Sequence, residues 1–218
     1  MPGKKPAKKI KRLIYILSQF IVRLFLKLLF GYSYTFAEPI AKGCPVIFAS
    51  NHASYLDPLC VGAAITDLER ENIFFMAKQE LFKNPLFGSL IRFYNAVPIS
   101  RGVMDWKAIV QVKEILKRGG AIIMFPEGTR SKEGKLGEAK FGVGLLAQET
   151  GATIVPVYTR GTDRLLDAFL RQRTMKICYG CAIRPEEYTD FKRSTQGKLA
   201  ISRMVMEQIA ALKEDCEI

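Results

Sequence analysis

The sequence predicts an α/β fold with a mostly parallel central sheet flanked by helices, preceded by an amphipathic amino-terminal helix. Three observations carry this. From residue 44 onward, short β-branched and apolar runs alternate with longer helical patterns. Gly and Asp punctuation falls between them. The first 37 residues differ in composition, holding Lys4, Lys5, Lys8, Lys9, Lys11, Arg12, Arg23 and Lys27 and no acid. The chain is therefore read as a basic, membrane-anchoring arm over 1–37 and an α/β domain over 38–218.

The arm comes first. The chain has 218 residues, with 33 Lys plus Arg, 21 Asp plus Glu and a net charge of +12. With eight cations in the arm, the body keeps 25 against 21 acids, close to balance. A basic arm on a near-neutral body points to an anionic surface. Residues 13–30 read LIYILSQFIVRLFLKLLF, and the longest charge-free stretch runs only from Leu13 to Val22. Eighteen helical residues reach about 27 Å, short of the ~30 Å hydrocarbon core. Lys5, Lys8, Arg12, Gln19, Arg23 and Lys27 recur at helical steps, interrupted by Ile16. That suits a helix lying in the membrane interface with its cations toward the headgroups. A tilted span with snorkelling cations remains an alternative. The missing A-x-A site and the two inner cations count against a signal peptide.

In the body, VIFAS (46–50), IFFMA (73–77), NAVPI (95–99), AIIMF (121–125), TIVPVY (153–158) and MKICY (175–179) read as strands. Pro156 suggests a strand end or edge. Helices are predicted over 58–67, 105–118, 142–150 and 194–213, with a short basic helix or lid over 162–171. Asp105 caps the second of these, and Trp106, Ile109, Val112 and Leu116 share a face. Five cysteines, irregularly spaced, argue against a disulfide framework and fit a reducing cytosol. Cys178 and Cys181 form one C-x-x-C, and a zinc site would need two further ligands; strand or strand-end cysteines are expected. No metal or cofactor is expected.

Polar groups cluster where strands end, which is where ligands gather in open α/β sheets. NHASYLDP (51–58) follows the first body strand and contains His52, the chain's single histidine. Asp57 lies five residues on, about 140° away on a continuous helix. The two can pair only if a turn intervenes. Asp57-Pro58 also reads as a helix start, with Asp at N-cap and Pro at N1. A carboxylate paired to an imidazole fixes its tautomer and stabilises the imidazolium. FPEGTR (125–130) follows the strongest strand. Gly128 permits a tight turn, Arg130 offers a planar fork suited to phosphate, and Glu127 could fix that fork or bind a hydroxyl. VPISR (97–101) again places an arginine, Arg101, after a strand.

Taken together these blocks resemble the glycerolipid acyltransferase family that includes 1-acylglycerol-3-phosphate acyltransferase. That family shows N-H-x-x-x-x-D, a V-P-I/V-x-R block, F-P-E-G-T-R-S and a V-P-V block. Here they stand in order as Asn51-His52…Asp57, Val97-Pro98-Ile99…Arg101, Phe125 to Ser131 and Val155-Pro156-Val157. MAKQELFKNPLFG (76–88) fits as well. One position departs: members often have F-K-x-G, where this chain has Ala139-Lys140-Phe141-Gly142. The resemblance implies transfer of a fatty acyl group from acyl-CoA or acyl-carrier protein to the sn-2 hydroxyl of 1-acylglycerol 3-phosphate, forming phosphatidic acid. It makes His52 the general base and Asp57 its orienting partner. Arg101, Glu127, Gly128, Thr129 and Arg130, with Lys78 as a further cation, would hold the acceptor's glycerol phosphate. The apolar stretch around Leu81, Phe82, Leu86, Phe87 and Leu90 faces an acyl tail or is plain core. The implied partners are a lysophospholipid, an acyl donor and an anionic membrane surface, with the protein on the cytoplasmic face. Glycerol 3-phosphate or another lysophospholipid is the alternative acceptor. A non-catalytic basic lipid binder is the competing class. The apolar helix on the arm argues against nucleic acid.

Overall fold

The computed structural model describes residues 5–65, 73–100, 104–131, 135–170 and 174–217. Its element order is α1 (Lys5–Phe30), β1 (Ser33–Phe36), β2 (Val46–Ser50), α2 (Asp57–Ile65), β3 (Ile73–Lys78), α3 (Pro85–Phe93), β4 (Ala96–Ile99), α4 (Trp106–Lys117), β5 (Ala121–Met124), α5 (Gly142–Thr150), β6 (Thr153–Arg160), α6 (Leu165–Phe169), β7 (Lys176–Tyr179) and α7 (Thr195–Glu217). The described strands form one sheet in the order β1-β7-β6-β2-β5-β3-β4. Pairing is parallel throughout except between β6 and β7. The α/β class and the mostly parallel sheet are as the sequence predicts.

The central strands show why. Every residue of β2 (VIFAS) and β5 (AIIM) is buried, as expected for parallel strands covered on both faces. Two apolar layers result. On one side α4, α5 and α7 cover Ile47, Ile122 and Ile154 with side chains that include Val112, Leu146 and Ile201. On the other, α1 and α2 cover Phe48, Ile123 and Val155 with side chains that include Leu26 and Val61.

Several expectations need correction. The sheet takes in Ser33–Phe36, residues assigned from sequence to the arm. In α4 the Asp105 side chain accepts from Ala108 N at 3.1 Å, the expected cap, but Trp106 is 62% exposed. The buried face runs through Ala108, Val112 and Leu116, and Trp106 lies two residues, about 200°, round from Ala108. Pro156 sits in neither an end nor an edge but inside β6, between β2 and β7. Its carbonyl accepts from Gly180 N at 2.9 Å, so its N side faces β7. There regular pairing stops at Val157↔Tyr179 and returns only as the Ile154↔Ile183 bridge. The missing N–H therefore breaks no ladder bond.

Cys178 is joined in a disulfide to Cys216, against the expectation of free cysteines. Their Cα atoms are 6.3 Å apart across a separation of 38 residues. The last turn of α7 reaches β7, a contact that spacing does not reveal. Cys181, the other half of the C-x-x-C, is exposed and unbonded.

α1 lies along the domain. Tyr15 packs on Phe93 and Tyr94 at the end of α3, with ring centroids 6.1 and 5.9 Å away, and Phe30 packs on Phe169 of α6 at 6.4 Å. Between them Gln19 and Leu26 are buried, and Arg23 donates to the Tyr34 hydroxyl at 3.4 Å. The polar stripe thus turns toward the protein at Gln19 and Arg23, not toward headgroups as expected. Lys5, Lys8 and Arg12 lie outside the described side chains. The outward face holds exposed Leu13, Ile14, Leu17, Phe20, Ile21, Leu24, Phe25 and Leu28. Among the described residues, Leu13–Phe30 is the helical stretch long and apolar enough to cross a bilayer.

Candidate active site

The site opens where β2 and β5 end. Asn51 secures the first of these ends: its side chain accepts from Thr159 N at 2.7 Å and donates to Thr159 O at 3.0 Å. That clamp joins the ends of β2 and β6. The chain then leaves the sheet at His52 and turns through Ala53–Leu56 before α2 begins at Asp57.

The turn brings His52 and Asp57 together, with Nδ1 2.8 Å from Oδ2. The same Oδ2 accepts from Ala53 N at 2.7 Å and Ser54 N at 2.8 Å. Oδ1 accepts the Thr162 hydroxyl at 2.6 Å. Asp57 is fully buried, and its carboxylate looks back into the turn, where a plain helix cap would look forward. Three donors, Ala53 N, Ser54 N and the Thr162 hydroxyl, already point at this carboxylate. A ring nitrogen facing an acceptor carries the proton, so Nδ1 donates and Nε2 is left as an acceptor. No described group bonds Nε2. The imidazole stacks on Phe125, centroids 3.9 Å apart and planes 18° from parallel.

The Phe125–Ser131 segment grips the His52 backbone on both sides. His52 N donates to Glu127 Oε1 at 2.9 Å, and Ser131 N donates to His52 O at 2.7 Å. Glu127 Oε2 accepts from Gly137 N at 2.9 Å. Glu127 is only 4% exposed. Burial pushes its carboxyl above the ordinary glutamate range, against the two backbone donors that pull it down. The expectation that Glu127 reaches the acceptor meets a different arrangement: both oxygens already brace backbone. Gly137 is needed for this, since a Cβ there would fall 2.6 Å from Glu127 Oε2.

Beyond Glu127 the chain turns outward. Gly128 has φ +69°, and its N–H donates to Phe125 O at 2.9 Å, closing a tight turn. Gly128, Thr129 and Arg130 are exposed. The Arg130 guanidinium lies over the Tyr55 ring, 3.7 Å from its centroid. The Lys140 side chain runs beside Gly128. Lys78 closes β3 and pairs with Glu80 at 3.2 Å; among the described residues it bonds no member of the site. Arg101 lies outside the described residues.

Thr162, Gly137, Tyr55 and Phe125 are site members that sequence reasoning did not assign. Phe125 stands inside a quoted block, and Tyr55 inside the histidine turn. Thr162 lies five residues beyond Val157 of the V-P-V block, and only the sheet order shows that the strand holding this block neighbours β2.

A model of the Acyltransferase family matches residues 32–160. The chain belongs to that family. Among its relatives are a chloroplastic 1-acyl-sn-glycerol-3-phosphate acyltransferase of Arabidopsis thaliana, 35% identical over 56% of this chain and 33% of that protein, and a 1-acyl-sn-glycerol-3-phosphate acyltransferase of Streptococcus pneumoniae, 29% identical over 78% of this chain and 61% of that protein. The chain thus spans less than two thirds of the length of these curated relatives. The crystal structure of the 1-acyl-sn-glycerophosphate acyltransferase of Thermotoga maritima shares the fold, with a TM-score of 0.67 and 24% identity over 94% of this chain and 83% of that one.

Proposed function

We propose that this family member transfers a fatty acyl group from acyl-CoA or acyl-carrier protein to the sn-2 hydroxyl of 1-acylglycerol 3-phosphate, at a membrane surface. The observation that carries the reading is the His52–Asp57 pair, 2.8 Å apart and buried beside the exposed Gly128–Arg130 turn. The names of the relatives support the acceptor.

His52 Nε2 takes the proton of the acceptor hydroxyl as its oxygen attacks the thioester carbonyl. Asp57 holds Nδ1–H and stabilises the imidazolium that forms. The tetrahedral adduct collapses, the C–S bond breaks, and the thiolate leaves, accepting the proton from His52. A thiol of pKa about 8.5 is a good leaving group, so no acyl-enzyme is required. General base catalysis of this kind contributes about 10²–10⁴-fold. Orientation of the acceptor supplies more. Thr129, Arg130 and the Gly128 turn bind the acceptor phosphate, joined by Arg101, Lys78 and Lys140. Glu127 acts as a positioning residue, tying His52 to the segment at Gly137.

The lengthwise packing of α1 favours a helix lying on a leaflet, here taken as the cytoplasmic one, over a helix crossing it. A span would carry Gln19 and Arg23, with the protein against them, into hydrocarbon. Its exposed apolar face sinks into the leaflet, and the lysine-rich start meets anionic headgroups.

The test is a transfer assay with labelled acyl-CoA or acyl-carrier protein and a panel of acceptors. Transfer to 1-acylglycerol 3-phosphate in preference to glycerol 3-phosphate and larger lysophospholipids is expected. No transfer to any lipid acceptor from either donor would refute the reading.

A further inference from the structure

α1 is not the only helix with an apolar exterior. On α3, Leu86 is 84% exposed, with Phe87 and Leu90 also exposed. The short α6 and the residue after it expose Leu165, Leu166, Phe169 and Leu170, Leu166 at 69%. Apolar clusters of this kind are uncommon on soluble monomers and mark contact surfaces. Of the two sequence readings of 81–90, plain core does not fit Leu86, Phe87 and Leu90, while Leu81 and Phe82 are half-buried.

We propose that α3 and α6 insert their exposed apolar side chains into the same anionic phospholipid leaflet as α1, so that three helices hold the mouth of the site on the lipid. The proposal rests on the membrane-surface reading of α1 and extends it to the site itself. Three observations favour a bilayer as the occupant. Both patches are continuous with α1, through Tyr15 on Phe93 and Tyr94 of α3 and Phe30 on Phe169 of α6. Both also follow the carboxyl ends of strands, α3 after β3 and α6 after β6, with β2 and β5 and the His52 turn between them. A leaflet touching both patches would lie across the site's opening. Finally, charge is arranged as an anionic surface requires. α3 holds no acid and carries Arg92 in its last turn, Lys83 precedes it, and the one acid of α6, Asp167, is paired with Arg164 at 3.5 Å. The function gains a route by which a lysophospholipid enters sideways, its acyl chain still among lipid tails.

The experiment places a single tryptophan at chosen positions in the full chain, on a Trp106→Phe background that removes the one native indole. Leu86→Trp, Leu166→Trp, Leu17→Trp on α1 and Arg118→Trp are compared. Arg118 follows α4 at the opposite end of the sheet and its side chain is 82% exposed. Each variant is titrated with phosphatidylglycerol–phosphatidylethanolamine vesicles carrying bromine on the acyl chains. Quenching at positions 17, 86 and 166 but not at 118 is expected. Quenching at 17 alone overturns the inference and leaves the α1 reading standing. Quenching at none of the four overturns both, and equal quenching at 118 shows adsorption without orientation and overturns the inference too. In the native background, Leu86→Asp with Leu90→Asp should weaken vesicle binding by about tenfold or more, the scale of two lost apolar anchors. Unchanged binding in that variant, with the fold intact by circular dichroism, would also overturn it.

Discussion

His52 and Arg130 belong to the same site and are held in opposite ways. His52 is 5% exposed and fixed at its ring by Asp57 and Phe125 and at its backbone by Glu127 and Ser131. Arg130 is exposed and rests on the Tyr55 ring. The inner region is a closed network in which each buried carboxylate oxygen has a donor. Among the described residues, the Thr129 and Arg130 side chains of the outer turn make no hydrogen bond or ion pair. A base must stand in one orientation throughout the reaction, whereas groups that meet a lipid phosphate must let it in and out. Substitutions within the network should therefore act on kcat, and those on the rim on KM.

The sharpest break in that contrast is Asp57→Ala. It frees the imidazole tautomer and strands the Thr162 hydroxyl, and kcat should fall by about 10²–10⁴-fold. A loss expressed in KM alone would erase the distinction between network and rim. Arg130→Ala is its counterpart. KM for the phosphate-bearing acceptor should rise by about tenfold or more, the scale of one charge-assisted contact, with kcat within a few-fold of the parent. Thr162→Val keeps the shape and removes one donor to a buried carboxylate. Steady-state kinetics should show a kcat loss of about tenfold, and denaturant unfolding a destabilisation of about 1–3 kcal/mol. Unchanged values in both would make Thr162 a bystander.

Glu127→Gln is read in the pH dependence of stability, apart from the pH-independent cost of turning its amide NH2 toward His52 N or Gly137 N. Because burial raises the folded-state carboxyl above its ordinary value, the folded chain holds more proton than the unfolded chain between the two values. Stability then falls as pH rises through that window. The glutamine variant should flatten the slope of Tm against pH there. An identical slope would assign it to other groups.

These contrasts also separate what was legible in the sequence from what was not. The His52–Asp57 pair is local, and its five-residue gap already required the turn that is observed. β2, β5 and β6 announce themselves by unbroken apolar runs, and α4 by Asp105. α3 carried a readable signal, Asn84 accepting from Phe87 N with Pro85 at N1, but its apolar residues drew attention to lipid or core instead. β1 is a short, half-exposed edge strand, and only its partner β7 defines it. Thr162 lies 105 residues from Asp57 and Cys216 is 38 from Cys178. Such contacts depend on sheet order and helix packing, which no local pattern encodes. Glu127 shows the same limit in reverse: its motif was plain, while the direction of its carboxylate depended on Gly137.

The central claim is that His52 is the base for acyl transfer. The direct measurement is the initial rate of labelled acyl transfer from the active donor to 1-acylglycerol 3-phosphate, by the parent and by His52→Ala bound equally to the same vesicles. A loss of about 10²–10⁴-fold in kcat with vesicle binding unchanged is expected. Equal rates in the two proteins would contradict the account.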